Sequence, residues 1–69
     1  MAEINKQVGL SIKKYRKKIG LSQEDLAFEA GLHRAYIGQI ERGEKNLGLI
    51  NLEKIAEALK ISADRLIKG

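Results

Sequence analysis

Side chains able to do covalent or metal chemistry are few in this 69-residue chain. It has no Cys, and His33 is its single histidine, so neither a zinc finger nor a redox site is available. Ser22 with Asp25 is the spacing of a helix cap, and neither has a base beside it that would make a nucleophile. His33 is read as a neutral residue at a helix start. The sequence therefore predicts no enzyme, no metal site and no cofactor.

Positive charge is the chemistry that the chain does offer. Residues 1–20 hold six bases against one acid, whereas residues 21–69 hold seven bases against eight acids. The six bases are Lys6, Lys13, Lys14, Arg16, Lys17 and Lys18. Such asymmetry is typical of a protein that binds nucleic acid or another anionic surface. The alternative is an ordinary solvated face whose cations complement a helix C-terminus.

Composition predicts a single folded domain over residues 1–69. The net charge is +4, with 43% hydrophobic and 32% charged residues, which suits neither a disordered basic tail nor a membrane segment. A domain this small buries only about 60% of its unfolded surface, so it needs a well-patterned helical core or a partner subunit. The absence of Cys suits a reducing cytosol, and the first residues lack a signal peptide. We expect a soluble, cytoplasmic protein with no membrane partner.

Hydrophobic spacing predicts that the basic segment is an amphipathic helix over residues 4–19. Its apolar stripe is Ile4, Val8, Ile12, Tyr15 and Ile19. Gly20 suits the left-handed end of this helix, and Ser22 with Asp25 forms a capping box that opens helix 2. Phe28 lies off the core stripe of helix 2, so it is either partly exposed or packed on helix 1.

Four further helices follow. Helix 2 stops at Gly31, and helix 3 carries the buried pair Ile37 and Ile40 and ends at Gly43. Residues 44–50 show no single period and are predicted to be a loop. Asn51 is the expected N-cap of helix 4, which runs to about Lys60, and Ser62 is the expected cap of a short last helix. The fold class is all-α, with five helices and no strand.

Three residues around the second turn carry the most information. Two short helices that cross steeply bring their backbones close, which requires a small side chain at the contact, and Ala27 supplies it. The turn needs a residue that tolerates positive φ, which Gly31 supplies. Ile37 anchors the second helix on the core, so its other face points outward. This arrangement predicts a helix-turn-helix over about residues 22–42.

The sequence resembles the Cro/repressor-type, or XRE-family, helix-turn-helix DNA-binding proteins over residues 8–67. The segments that carry the resemblance are LSQEDLAFEAGL at 21–32, YIGQIERG at 36–43 and LEKIAEAL at 52–59. Among subfamilies it looks most like the controller proteins of restriction-modification systems. The resemblance implies a compact five-helix bundle of the lambda-repressor type that regulates transcription, with helix 3 in the DNA major groove and helix 2 across the backbone.

The resemblance also implies base contacts from helix 3. Arg34 matches a position that would take guanine through two hydrogen bonds, Gln39 one that would read adenine, and Ala35 one that would meet a thymine methyl. Tyr36 would reach base or phosphate, or would pack its ring and expose only its hydroxyl. Solvated residues without a DNA role are the alternative for Arg34 and Gln39.

Backbone contacts are implied for a second group. Gln23 matches a glutamine that binds phosphate from a helix N-terminus, although it also simply follows the cap. Lys45 and Asn46 match loop positions that touch the backbone or a groove edge, and Arg42 is expected to hold either phosphate or Glu41. Lys17, in the basic segment, is expected to contact a further phosphate.

Surplus apolar residues predict a homodimer. The family's proline before helix 4 is Leu47 here, and Leu47, Ile50 and Ile61 exceed what a small monomer core needs. A two-fold pair formed through helices 4 and 5, about residues 51–68, would bury them and read half-sites about 34–36 Å apart. The alternative is a monomer with scattered surface apolar residues. His33, Arg34 and Ala35 replace the Gln, Ser or Thr of many members, so no operator sequence can be carried over.

The predicted partners are double-stranded DNA and a second copy of the chain, with RNA polymerase as an additional candidate and no small-molecule ligand. The competing function is a protein-interaction module on the same fold, such as an antitoxin-like or polymerase-contacting protein. Arg34, Gln39 and the basic helix 1 favour DNA binding. A bacterial or phage source is expected from the resemblance.

Overall fold

Helices account for most of the chain in the computed structural model, which describes residues 3–69. They are α1 (Glu3–Lys18), α2 (Gln23–Ala30), α3 (Arg34–Glu41), α4 (Leu49–Leu59) and α5 (Ala63–Lys68). Over those residues the predicted order of five helices without a strand is confirmed. None of these helices is both long and apolar enough to cross a membrane.

The turn before α2 follows the predicted capping chemistry. The Ser22 hydroxyl accepts a hydrogen bond from the Asp25 backbone N–H at 2.9 Å, and the Asp25 carboxylate accepts one from the Ser22 N–H at 3.0 Å. These hydrogen bonds, the backbone one first, hold the pKa of Asp25 below its usual value. Gly20 and Gly31 have φ of 78° and 71°, the left-handed conformation predicted at both helix ends.

The start of α4 differs from the prediction. The helix begins at Leu49, two residues before the expected cap at Asn51, and its N-cap is Gly48, with φ of 77° and no side-chain hydrogen bond. Asn51 lies inside the first turn and donates to the Tyr36 hydroxyl at 2.8 Å. The local signal for an N-cap therefore selected Asn51, whose side-chain amide makes a tertiary hydrogen bond instead of capping α4. Ser62 is the N-cap of α5 as predicted, but its side chain makes no hydrogen bond to the helix backbone.

The core draws residues from all five helices. Its largest fully buried members are Ile12, Leu26, Ile37, Ile40, Ile55 and Leu66. The predicted stripe of α1 is correct in the middle, where Val8 and Ile12 are buried, and wrong at its ends. Ile4 and Ile19 are about half exposed, and Ile19 lies one residue beyond the end of α1.

The helix-turn-helix crossing matches its steric prediction. Ala27 is buried on α2 and Ile37 and Ile40 are buried on α3, which places the opposite face of α3 outward. Of the two possibilities for Phe28, the structure shows exposure: 84% of the residue is accessible.

A close approach of α1 to the end of α3 completes the frame. A Cβ placed on Gly9 would lie 2.8 Å from the Glu41 carbonyl oxygen, tighter than real Cβ contacts. Glycine at this position therefore lets the two helix backbones meet.

Candidate nucleic-acid interface

An open groove lies between the start of α2 and the outer face of α3. Its lining residues are Arg16, Ser22, Gln23, Glu24, Arg34, Ala35, Gly38, Gln39 and Arg42. The helix-turn-helix crossing creates this groove, because the outward face of α3 stands beside the N-terminus of α2. Three of the four predicted base-contacting residues, Arg34, Ala35 and Gln39, are therefore brought together here.

Arg34 extends from the first turn of α3 into solvent. Its side chain is 68% exposed, and its guanidinium lies 3.7 Å from the equally exposed Glu24 carboxylate. Exposed ion pairs at this distance contribute little, so the guanidinium is available to another anion or acceptor. Ala35 is exposed next to it and Gln39 is half-buried.

Tyr36 has a different environment from the other three. Its ring packs against the core, and its hydroxyl donates to the Leu47 carbonyl at 3.3 Å and accepts from the Asn51 amide at 2.8 Å. The hydroxyl thus joins α3 to the loop and to the start of α4. Of the alternatives left open, packing of the ring matches the structure, and the hydroxyl also has partners within the chain.

A buried ion pair supports the floor of the groove. The Arg16 guanidinium contacts the Glu41 carboxylate through two hydrogen bonds, of 2.6 and 3.0 Å, and also donates to the Leu21 carbonyl at 2.8 Å. The Gln23 amide donates to the same carboxylate at 3.0 Å. One carboxylate at the end of α3 therefore fixes side chains of α1 and α2.

Arg42 does not bind Glu41, one of its two predicted partners, because Arg16 already occupies that carboxylate. Arg42 instead forms two hydrogen bonds with Glu44, of 2.8 and 3.2 Å, on the surface. These bonds raise the pKa of Arg42 and lower that of Glu44.

The remaining predicted backbone contacts lie at the surface, and Lys45 and Asn46 line a different groove from Arg34 and Gln39. Lys17 and Lys45 are exposed. Asn46 is exposed too, and its side-chain oxygen accepts from the Asn5 amide at 2.8 Å. That bond ties the loop before α4 to the start of α1.

The predicted dimer residues divide between two other grooves. Leu47 lies in an apolar groove with Leu49, Ile4 and Ile67, whereas Ile61 lies in a second one with Tyr15 and Ile19. Leu47 and Ile61 both pack partly on the core. Ile50 is 75% exposed, and its neighbour Leu49, which sequence reasoning did not select, is 82% exposed.

Sequence reasoning missed Arg16, Glu41 and Asn51 as contributors to the site. Arg16 was counted with the basic surplus of residues 1–20, although it is buried on the same side of α1 as Ile12 and Tyr15, four and one positions away. That position on the helix was the one signal available, since a basic residue at helical spacing from a buried stripe faces the core.

Comparison with known proteins agrees with this geometry. A family model described as helix-turn-helix (HTH_3) matches residues 12–66. This chain belongs to that helix-turn-helix family. The predicted resemblance to XRE-family regulators is thereby confirmed, and the family is one of transcription regulators, not of enzymes.

The relatives of this helix-turn-helix chain include controller proteins. It is 52% identical over 50 residues to the control protein C.BamHI of Bacillus amyloliquefaciens. The matched region is 72% of this chain and 62% of that relative, so this chain spans less than two thirds of the relative's length. The chain is 43% identical over 67 residues to the control protein C.MunI of a Mycoplasma species, covering 96% of this chain and 90% of that one. The predicted similarity to controller proteins is confirmed.

Solved structures give the same result. The restriction-modification controller protein C.AhdI of Aeromonas hydrophila superimposes with a TM-score of 0.91 at 42% identity, covering 94% of this chain and 98% of that one. The controller protein C.Esp1396I superimposes with a TM-score of 0.88 at 39% identity, covering 99% and 92%. The predicted fold class is therefore confirmed.

Proposed function

We propose that this chain is a sequence-specific transcription regulator that binds double-stranded DNA in the cytoplasm as a homodimer, with α3 in the major groove. One observation carries the proposal: Arg34, Ala35 and Gln39 line the same open groove as Gln23 of α2. Groups suited to base edges therefore stand beside a group suited to phosphate, as groove binding requires.

Base reading is assigned to the exposed face of α3. The Arg34 guanidinium offers two parallel N–H donors to guanine O6 and N7, the Gln39 amide suits adenine N6 and N7, and the Ala35 methyl suits a thymine methyl. Tyr36 is assigned a positioning role, since its hydroxyl already has two partners in the chain.

Phosphate binding is assigned first to Gln23. An amide NH₂ group has two hydrogens, and Glu41 takes one, which leaves the other for a phosphate oxygen at the N-terminus of α2. Arg42 lines the same groove as Gln23 and is assigned a second phosphate contact. The exposed Lys45, Asn46 and Lys17 complete the proposed backbone contacts.

A salt titration together with two substitutions tests DNA binding. With several phosphate contacts, affinity for a duplex selected from random sequences is expected to fall on the order of 10³-fold between 50 and 200 mM salt. Arg34→Ala should cost about 1 to 3 kcal/mol and relax preference at one base pair, whereas Gln23→Ala should weaken all sequences alike.

The matched control for the arginine is Arg65→Ala, which removes an exposed arginine from the groove that holds Ile61. It should leave sequence preference unchanged. If Arg34→Ala keeps the wild-type base preference, the role assigned to α3 is wrong.

A protein-contacting role, with RNA polymerase as one candidate partner, is a second proposal, and the exposed Phe28 favours it. On α2 the residue stands next to Glu29 and one helical turn after Glu24, an apolar side chain among acids on a surface that a basic partner would fit. Phe28→Ser should then keep DNA affinity but lose regulation in a reconstituted transcription assay. Unchanged regulation would argue against this role.

A further inference from the structure

His33 is the N-cap of α3, and the capping hydrogen bond fixes the state of its ring. The Nδ1 atom accepts from the Ala35 backbone N–H at 3.1 Å. A nitrogen that accepts a hydrogen bond carries no proton, so in the neutral imidazole the proton is on Nε2. The cap thus selects one tautomer.

The selected tautomer leaves a hydrogen-bond donor facing solvent. His33 is exposed, and its Nε2–H has no acceptor among residues 3–69. The next two residues, Arg34 and Ala35, line the groove assigned to DNA. The N-terminal end of a recognition helix is the end that meets base edges, so the donor stands directly before the residues that line the groove proposed to bind DNA.

We propose that His33 is a DNA-contacting residue whose Nε2–H donates a hydrogen bond to an acceptor on the bound DNA; this rests on the proposed function. Because the cap occupies Nδ1, the ring offers DNA a donor and no acceptor. It fits guanine O6 or N7, adenine N7, thymine O4 or a phosphate oxygen, and it does not fit the N4 amino group of cytosine.

Capping and donation are separable by substitution. A serine at this position accepts from the same amide N–H and keeps α3 capped, but its short side chain does not reach out as the imidazole does. His33→Ser therefore removes the proposed contact and keeps the helix. His33→Ala removes both and serves as the control in which stability must fall.

The test compares His33→Ser with the wild type on the selected duplex and on a duplex of unrelated sequence. We expect an unchanged unfolding midpoint and a loss of DNA affinity of roughly 2- to 12-fold, the worth of one neutral hydrogen bond. A loss confined to the selected duplex, with relaxed preference at one base pair, identifies a base edge as the acceptor. An equal loss on both duplexes identifies a phosphate.

Two results would overturn the proposal. One is wild-type affinity of His33→Ser on both duplexes. The other is a ¹⁵N spectrum of the free wild-type protein that places the imidazole proton on Nδ1. The proposed function fails separately, if the wild type binds no duplex or if Arg34→Ala keeps its base preference.

Discussion

At the scale of single residues, the buried pair of Arg16 and Glu41 is a contact that local sequence patterns did not predict. Their side chains are 8% and 2% exposed and are 25 positions apart. Charge counting placed Arg16 in the basic surplus of residues 1–20, and Glu41 was named only as one of two expected partners of Arg42. Neither inference includes the crossing of α1 with α3, so the pair became visible only in the fold. The position of Arg34 and Gln39 on the outward side of α3, by contrast, follows from local helical spacing.

Removing one member of this pair should destabilise the protein. Arg16→Met leaves the Glu41 carboxylate buried without its cation, which typically costs about 3–5 kcal/mol. The measurement is urea unfolding. The double variant Arg16→Met with Glu41→Leu should recover much of the loss, because no unpaired charge remains. A loss below about 1 kcal/mol in the single variant would contradict this account.

Glu44 should weaken DNA binding through its hydrogen bonds to Arg42. Glu44→Gln removes a carboxylate near the proposed phosphate path and frees the guanidinium, so affinity for unrelated DNA should rise and the salt slope should steepen by about one. Glu57→Gln changes the net charge equally but lies on α4 beside Lys54 and Lys60, so it is the matched control. Equal effects of the two substitutions would mean that only net charge matters.

At the scale of helices, the order and most ends follow from spacing and caps, because Ser22, Gly20 and Gly31 act on their nearest neighbours. The start of α4 did not follow. Gly48 caps it with backbone geometry alone, and Asn51, the expected cap, binds Tyr36 across 15 positions. Local signals identify a helix end only where the capping side chain has no stronger partner elsewhere.

The contact of α1 with α3 predicts an unusual response to alanine. Gly9→Ala should stabilise an isolated helix by about 1 kcal/mol, yet its Cβ would press on the Glu41 carbonyl, and such overpacking typically costs about 1–3 kcal/mol. We expect a lower unfolding midpoint. In Gly38→Ala the new Cβ meets chiefly the movable Arg42 and Gln23 side chains, at 3.3 Å and more, so this variant should lose less stability. Greater loss in Gly38→Ala would refute the packing argument.

The capping box of α2 predicts a dependence of stability on pH. Hydrogen bonds to Ser22 lower the pKa of Asp25 in the folded protein, so its contribution is present above the unfolded pKa of about 3.9 and is lost as the pH falls through the folded value. Asp25→Asn lacks this titration, so its unfolding midpoint should decline less in acid. If the unfolding midpoints of the wild type and of Asp25→Asn fall in parallel from pH 7 to pH 2, the capping box is not the cause of the acid destabilisation.

At the scale of the whole molecule, hydrophobic surplus predicted a homodimer formed through helices 4 and 5, about residues 51–68. The sequence singled out Leu47, Ile50 and Ile61, and the fold distributes Leu47 and Ile61 to different grooves. The groove of Ile61 is lined by three bases, Lys18, Lys60 and Arg65, and by one acid, Glu29, so two copies meeting there would bring together an excess of positive charge. We therefore propose that the dimer forms around Leu49 and Ile50 and leaves Ile61 outside.

A charge placed in that surface should separate the dimer. Ile50→Glu is expected to give the one-chain mass in sedimentation at micromolar concentration and to weaken operator binding. The control is Leu10→Glu, which changes an apolar residue on α1 that is 65% exposed and should leave the dimer intact. Dimers of unaltered affinity in Ile50→Glu would locate the interface elsewhere.

The hydroxyl of Tyr36 has a consequence for this assembly. It links α3 by hydrogen bonds to the loop before α4 and to the first turn of α4, which carries Leu49 and Ile50. In the proposed dimer, a displacement at the subunit interface would therefore be transmitted to α3 through these two hydrogen bonds. The two copies of α3 should therefore keep a nearly fixed separation. The proposed dimer should tolerate little change in the number of base pairs between its two half-sites.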